Sequence, residues 1–408
     1  MKCRHCQAAV TLQFIDLETS PPSNSYVTAA ALRGPEKWYP LRVYTCTNCW
    51  LVQTEDYAHF SEMFSSDYAY FSSFSTSWLK HADEYVSAMA QRFELGAQSH
   101  VIEVASNDGY LLQYVKQRGI PCLGVEPTAS TAAAAREKGI EVLEEFFGVA
   151  LADRLVAQSR SADLTAANNV LAHVPDINDF VAGFARVLKA DGVSTFEFPH
   201  LMRLVEQCQF DTIYHEHFSY LSLTAVDTIF ARNGLQVFDV QELPTHGGSL
   251  RVFAQRADTG RRERTAALAA LLERESGAGV ASAGYYAGFQ ERANTIKDEL
   301  MSFLIQAKRD GKRVGAYGAA AKGNTLLNYA GVRSNLLPWV VDRNPAKQDK
   351  YLPGCRIPIV DEAHLKQTRP DYVVILPWNL RTEVTAQLSY IRDWGGKFVT
   401  AVPHLEIS

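Results

Sequence analysis

The densest group of chemistry-capable side chains in the 408-residue sequence is the string Asp211-Thr-Ile-Tyr-His-Glu-His-Phe-Ser-Tyr-Leu221. Tyr214, His215, Glu216, His217 and Tyr220 fall within seven residues of it. Three uses are open to such a string. His215 and His217, two apart, would share one strand face and could bind a metal, although the HExxH arrangement is missing because Ser219 stands where its second histidine would be. The side chains could also form a buried hydrogen-bonded cluster. The third use is acid–base chemistry: imidazole takes a proton near neutral pH, tyrosine donates to a developing oxyanion, and glutamate orients or polarises the histidine.

A second chemistry is written in sulfur. Four of the seven cysteines form two CxxC pairs, Cys3/Cys6 and Cys46/Cys49, while Cys122, Cys208 and Cys355 stand singly. A CxxC turn sets two thiolates one ligand edge apart, and two such turns complete a tetrahedral zinc site. A redox CxxC normally opens a helix beside a βαβ unit, and neither pair does. Cys3, Cys6, Cys46 and Cys49 are therefore expected to hold a structural Zn2+ with no open position for catalysis. The spacer between the pairs, residues 7–45, is 39 residues long, and Pro21-Pro22 and Gly34-Pro35 mark an extended loop within it. Cys122 and Cys208 read as buried small apolar side chains.

These groups need scaffolds to position them. The chain is 47% hydrophobic and 21% charged, which excludes general disorder and fibrous folds, and its length favours two or three domains. Forty basic against 45 acidic residues give a net charge of −5, and no Lys/Arg run accompanies the cysteine pairs, so nucleic acid is not an expected partner. No apolar run approaches the ~18 residues of a membrane span, and Met1–Cys6 lacks the apolar core of a signal peptide. No membrane partner and a cytoplasmic location are expected.

In the middle of the chain, His100–Ala105 reads as a buried strand running into the small-residue turn Ser106-Asn-Asp-Gly109 and then a helix. Pro121–Glu126 is the next strand and ends in an acid 17 residues after Gly109, suited to chelating ribose hydroxyls. Ala162–Asn169 and Val193–Phe198 continue the pattern. The turn lacks the second glycine of GxGxxG, which lets a pyrophosphate touch the backbone. A nucleoside ligand without phosphates, such as S-adenosylmethionine, suits it better than NAD.

Beyond long helices between Arg261 and Gly311, a second α/β unit begins at Lys312–Tyr317, with strands expected at Pro338–Asp342, Asp371–Leu376 and Gly396–Thr400. Lys322 beside a helix start is suited to meeting phosphates. The glycine spacing there is again not the dinucleotide fingerprint.

Glu103-Val-Ala-Ser-Asn-Asp-Gly109 with Glu126 resembles class I methyltransferases. The paired CxxC segment in front, the SNDG turn and the Tyr-His-Glu-His-Phe-x-Tyr-Leu string together resemble nucleotide-sugar C-methyltransferases over essentially the whole chain. The resemblance implies an α/β protein of three parts: a zinc-binding domain (1–70), a Rossmann-like domain using S-adenosylmethionine (71–255), and a smaller Rossmann-like domain gripping the nucleotide sugar (256–408). It implies His217 as general base with Tyr214, Glu216 and Tyr68 as catalytic partners. Glu103, Ala105, Ser106, Asn107, Gly109, Glu126 and Asn168 fall at cofactor positions. Tyr70, Asn169, His173, His246, Lys322 and Asn324 fall at substrate positions. The implied substrate is a TDP-linked 4-keto-deoxysugar methylated at C-3. Sugar O-methylation, an NAD-linked oxidoreductase and a non-catalytic zinc protein are the competing readings.

Overall fold

Val101–Val104, Cys122–Val125 and Ala162–Asn168 are apolar and buried along almost their whole length, as strands covered by helices on both faces must be. The protein is described here by a computed structural model covering residues 1–57 and 71–408. In it these strands form a seven-stranded sheet ordered Val142–Leu143, Cys122–Val125, Val101–Val104, Ala162–Asn168, Leu188–Pro199, Ser249–Arg256, Leu235–Leu243. In the sheet's own numbering this is 3-2-1-4-5-7-6, with Ser249–Arg256 antiparallel to both neighbours. The order reverses beside Val101–Val104, where a ligand crevice opens at the strands' carboxyl ends. The antiparallel pair 235–256 is an addition to the strands expected from the sequence.

The C-terminal sheet repeats the plan. Its order is Ile359–Val360, Val340–Val341, Val314–Tyr317, Tyr372–Ile375, Lys397–Thr400, Glu406–Ile407, or 3-2-1-4-5-6, with only the last strand antiparallel. The helices leading to it break at Gly279. Ala266–Ala278 ends at Gly279, whose φ of +85° is the left-handed conformation a glycine adopts without strain, and Phe289–Arg309 follows.

The N-terminal sheet is antiparallel and wedged between the other two. Leu12–Ser20, Tyr39–Thr45 and Val52–Thr54 are joined by a fourth strand from far along the chain, Ser219–Tyr220. Phe14 stacks on Phe289 at 4.3 Å, and Ile15, Leu41 and Val43 share one core with Leu300, Leu304 and Val340. On the other side, Cys3, Cys46, Cys49 and Leu51 pack into the core of the central sheet with Phe180, Phe184 and Phe196. Cys208 is buried, while Cys122 is half-buried rather than buried because it opens an edge-ward strand. Among the described residues, no helix is long and apolar enough to cross a membrane.

Candidate active site

The four cysteine sulfurs lie within 4.8 Å of one another, with Cys3–Cys49 at 3.5 Å and Cys6–Cys46 at 3.6 Å. A tetrahedron of thiolates about 2.3 Å from zinc has edges of about 3.8 Å, so the residues fit the ion. Gln53 Nε2 donates to Cys3 Sγ at 3.3 Å and its Oε1 accepts from Arg4 N, fixing the first turn around the site. Among the described residues this is the one group of three or more metal-ligating side chains. His215 points elsewhere: its Nε2 donates to the Pro40 carbonyl at 3.2 Å and its ring meets Tyr39 edge-on.

The turn after Val101–Val104 is built from strained backbone. Ala105 and Asn107 take φ of +57° and +49°, a conformation costing a non-glycine residue roughly 1–2 kcal/mol. Glu126, at the tip of the second strand, holds the turn. One carboxylate oxygen accepts from Asn107 N at 3.0 Å and the other from Thr128 N at 2.9 Å, and each retains a second lone pair. Gly109 has φ +74°, a left-handed conformation that favours glycine, and a Cβ there would also press on the Ile140 side chain at 2.4 Å. Buried around it, Glu103 and Asn168 leave both side-chain polar atoms, and Ser106 its hydroxyl, without a hydrogen bond of good geometry among the described residues, although the Tyr110 hydroxyl is close enough to act on Glu103 and Asn168. Burial, with Asp108 and Glu126 nearby, pushes the Glu103 carboxyl well up, against the opposing pull of the Tyr110 hydroxyl. Unsatisfied buried polar groups beside a carboxylate at a switch point suit a polar nucleoside such as S-adenosylmethionine. Asn107 Oδ1 and Asp108 Oδ2 also accept the backbone N–H groups of Ser72 and Ser73, tying that segment over the turn.

The Tyr-His-Glu-His string is clamped from three directions. Thr54 donates from its backbone to Phe218 O (3.2 Å) and from its hydroxyl to His217 O (3.1 Å), extending the zinc-domain sheet onto the string. Phe218 N donates to Ala172 O. Thr325 Oγ1, from the C-terminal domain, donates to Ile213 O at 2.9 Å. Inside the clamp, the His217 ring lies 4.0 Å from that of Tyr214 and 4.6 Å from that of His173. His217 Nδ1 donates to Thr212 O at 2.9 Å, which puts the lone pair of the neutral ring on Nε2. Burial, with His173 close by, holds His217 well below the usual imidazole range, so it is neutral at pH 7. Burial also brings His173 down to about 4, despite its bond to the Glu216 backbone. Glu216 is pushed up to about 7 by burial, opposed by Asn24, whose Nδ2 lies 2.9 and 2.7 Å from its two oxygens.

Other expected site residues gather at the junction with the C-terminal sheet. Asn169 (φ +54°) donates its N–H to Glu197 O, and His246 (φ +56°) sits edge-on to Trp78 at 5.4 Å. Burial and the Lys322 charge bring His246 down to about 4. Lys322 donates to Asn379 Oδ1 at 2.7 Å and lies over the Trp378 ring, whose Nε1 donates to Asp211 Oδ2 at 2.7 Å. Asp211 is pushed up to about 6 by burial, opposed by Lys322. Asn324 is buried with both amide atoms unpartnered among the described residues. A cleft of about 560 Å³ shares Trp378 and Asn379 with this cluster and is also lined by Arg203, Gly247 and Ser249. Tyr68 and Tyr70 lie outside the described residues. Asn24, Thr54, Asp211, Trp78 and Trp378 were not anticipated. Only the unusual length of the 39-residue spacer could have drawn attention to Asn24.

Each of the three parts of the chain is similar to known proteins. Residues 3–64 match a family of zinc binding domains, residues 78–240 a methyltransferase domain and residues 244–403 the C-methyltransferase C-terminal domain. The chain is 31% identical to the C-methyltransferase NovU of Streptomyces niveus over 402 residues, 98% of this chain and 95% of that one. Structural likenesses include magnesium protoporphyrin IX methyltransferase of Synechocystis PCC 6803 (15% identity, TM-score 0.33, covering 44% of this chain and 79% of that one). An S-adenosylmethionine dependent methyltransferase of Mesorhizobium loti is another (14%, TM-score 0.35, 44% and 100%). The protein is an enzyme with S-adenosylmethionine as methyl donor and zinc in its N-terminal domain. With near full-length similarity to a C-methyltransferase and all three domain matches in chain order, it belongs to the C-methyltransferase family.

Proposed function

We propose that the enzyme methylates the carbon next to the ketone of a nucleotide-linked 4-keto-deoxysugar, C-3 of a TDP sugar being the favoured form, through an enolate generated by His217. The observation that carries this reading is the setting of His217: its Nδ1–H is committed to Thr212 O and its ring is held between those of Tyr214 and His173. Nε2 takes the proton, and the electron pair left behind spreads onto the ketone oxygen. That carbon acid is far weaker than imidazolium, so donors to the forming oxyanion must close the gap, each contributing about 3–4 kcal/mol. On this reading Tyr214 is one such donor and Tyr68 a second, and Tyr70 contacts the substrate. Glu216 orients the string, and Asn169, His173 and His246 face the sugar.

Lys322 and Asn324 meet the diphosphate in this reading. Glu126 holds the ribose of the cofactor, within the shell of Glu103, Ala105, Ser106, Asn107, Gly109 and Asn168. S-adenosylmethionine, when bound, supplies an electrophilic methyl group. On this reading the chain divides its labour among a zinc domain, a donor domain and a nucleotide-sugar domain.

The test is exchange of the substrate's α proton in deuterated solvent, without methyl donor and with a TDP-linked 4-keto-6-deoxyhexose as probe. His217→Ala should abolish exchange; undiminished exchange would remove His217 from the base role. Transfer of a carbon-13 methyl group, followed by NMR, should give a methyl bonded to carbon, and a methoxyl shift would refute C-methylation.

A further inference from the structure

Between strands Leu12–Ser20 and Tyr39–Thr45 runs a strap, residues 21–38, that closing a zinc site does not require. The strap leaves its own sheet and lands on the C-terminal domain. Tyr26 Oη donates to Ala319 O at 2.6 Å, and Lys347 Nζ donates to the same carbonyl at 2.9 Å while lying over the Tyr26 ring. Val27–Thr28 pairs with Lys350–Tyr351, and Arg356 binds the Glu36 carboxylate and the carbonyls of Leu32 and Gly34.

The landing site is the switch point of the C-terminal sheet. Ala319 lies in the turn after Val314–Tyr317, and its N–H is held at 2.8 Å by Asp342, at the tip of the second strand. In a dinucleotide-binding sheet this crevice receives the ligand; here Tyr26 and Lys347 occupy it. Two residues before Tyr26, the seated strap presents Asn24 to both oxygens of Glu216.

We infer that the strap is a working part of the active site: Asn24 is a positioning residue for Glu216, and the nucleotide crevice of the C-terminal sheet is the socket that seats it. The inference rests on the proposed part of Glu216 in the proton-transfer machinery. Glu216 is 1% exposed, and without Asn24 no side chain given above would bond its carboxylate. The groups facing it are Asn24 and Tyr26 on the strap, with Lys347 behind Tyr26, and His173, which bonds its backbone. Amide donors favour the ionised carboxylate, so their loss moves its ionisation to higher pH.

The test is the pH–rate profile of α-proton exchange, measured on the full-length zinc-loaded enzyme with the TDP-linked 4-keto-6-deoxyhexose. Asn24→Ala should shift the acid limb upward and lower exchange at pH 7 by about tenfold, the loss of one hydrogen bond to a charged group. Zinc content and adenosylhomocysteine affinity should stay unchanged. Tyr26→Phe, which keeps the ring and loses the anchor, should shift the limb the same way by less. A purely structural strap would lower the rate without moving the limb. An Asn24→Ala profile that superimposes on wild type, while His217→Ala is dead, overturns the inference and leaves the proposed function standing. If Asn24→Ala loses its zinc, Tyr26→Phe decides, and an unmoved limb overturns the inference. Exchange that survives His217→Ala overturns both.

Discussion

The central and C-terminal sheets are two versions of one device. Both run 3-2-1-4-5 through their parallel strands, and each ends its second strand in an acid whose two oxygens catch two backbone N–H groups. For Glu126 these belong to Asn107 and Thr128, and for Asp342 to Ala319 and Asn344. What differs is the space in front of the acid. The central crevice is ringed by buried polar atoms of Glu103, Ser106 and Asn168 that lack a well-formed hydrogen bond among the described residues. The C-terminal crevice takes the Tyr26 ring and the Lys347 ammonium, and Lys347 Nζ lies 3.7 Å from Asp342. The lesson is that topology marks a place where something docks, and the neighbouring side chains decide whether it is a nucleoside or a loop.

Removing zinc should break this comparison most completely, because the zinc domain supplies what fills the second crevice. Structural zinc contributes on the order of 10 kcal/mol to a small domain. The strand Val52–Thr54, which carries the His217–Tyr220 segment as its neighbour, follows directly from Cys49. A strong chelator should therefore abolish methyl transfer as zinc is released, while calorimetry still detects adenosylhomocysteine at the central crevice with an affinity lowered only a few-fold. Full activity in zinc-free protein would disconnect the domain from the site.

Acid comes next. His173 and His246 are both held at about 4, against an ordinary 6.5, because burial penalises the imidazolium. The unfolded chain then binds protons that the folded state refuses. Stability is fully present above pH 6.5 and declines as the pH falls toward 4, by at most about 3 kcal/mol per histidine at 1.36 kcal/mol per unit. Urea midpoints measured from pH 7 to 4 should fall less steeply for His173→Gln/His246→Gln than for wild type. Parallel curves would mean that these histidines are not buried as described.

The two acids themselves give a direct contrast. Glu126→Ala should weaken adenosylhomocysteine binding about 10- to 100-fold, the loss of charge-assisted hydrogen bonds to the ligand together with the hold on the turn. Asp342→Ala should leave that affinity within about twofold, since nothing at that crevice touches the cofactor on this reading. Equal losses in the two variants would collapse the distinction between a ligand crevice and a socket.

How much of this was legible depended on whether the partners lie close in sequence. The cysteine pairs, the SNDG turn and the strand-end acids are local patterns with a mechanical meaning, and the fold class followed from them. The His217 string was recognisable because its residues are adjacent. Asn24 and Glu216 are 192 residues apart, the pairing strands Val52–Thr54 and Ser219–Tyr220 about 167, and no periodicity announces such meetings. Positive φ was foreseeable at Gly109, but not at Ala105 or His246, where surrounding structure imposes a conformation the residue type disfavours. The strand pair 235–256 was hidden from simple alternation, because a bulge between Val237 and Asp239 sends Val237 and Val240 into one core and Phe238 into another.

The smallest effect lies inside the socket. Lys347→Met keeps the aliphatic stem against Tyr26 but removes the donor to Ala319 O and the charge beside Asp342. Asp342 keeps both backbone donors, so the turn should hold, and Tyr26 still bonds Ala319. Loss of one partly buried polar contact is worth about 1 kcal/mol, and only the part transmitted through the strap to Asn24 reaches catalysis. Methyl transfer should therefore drop by about twofold to fivefold, with unchanged adenosylhomocysteine affinity and no gain of NAD binding by calorimetry. A variant that did bind NAD would show that a single ammonium, rather than the seated strap, is what separates the second crevice from the first.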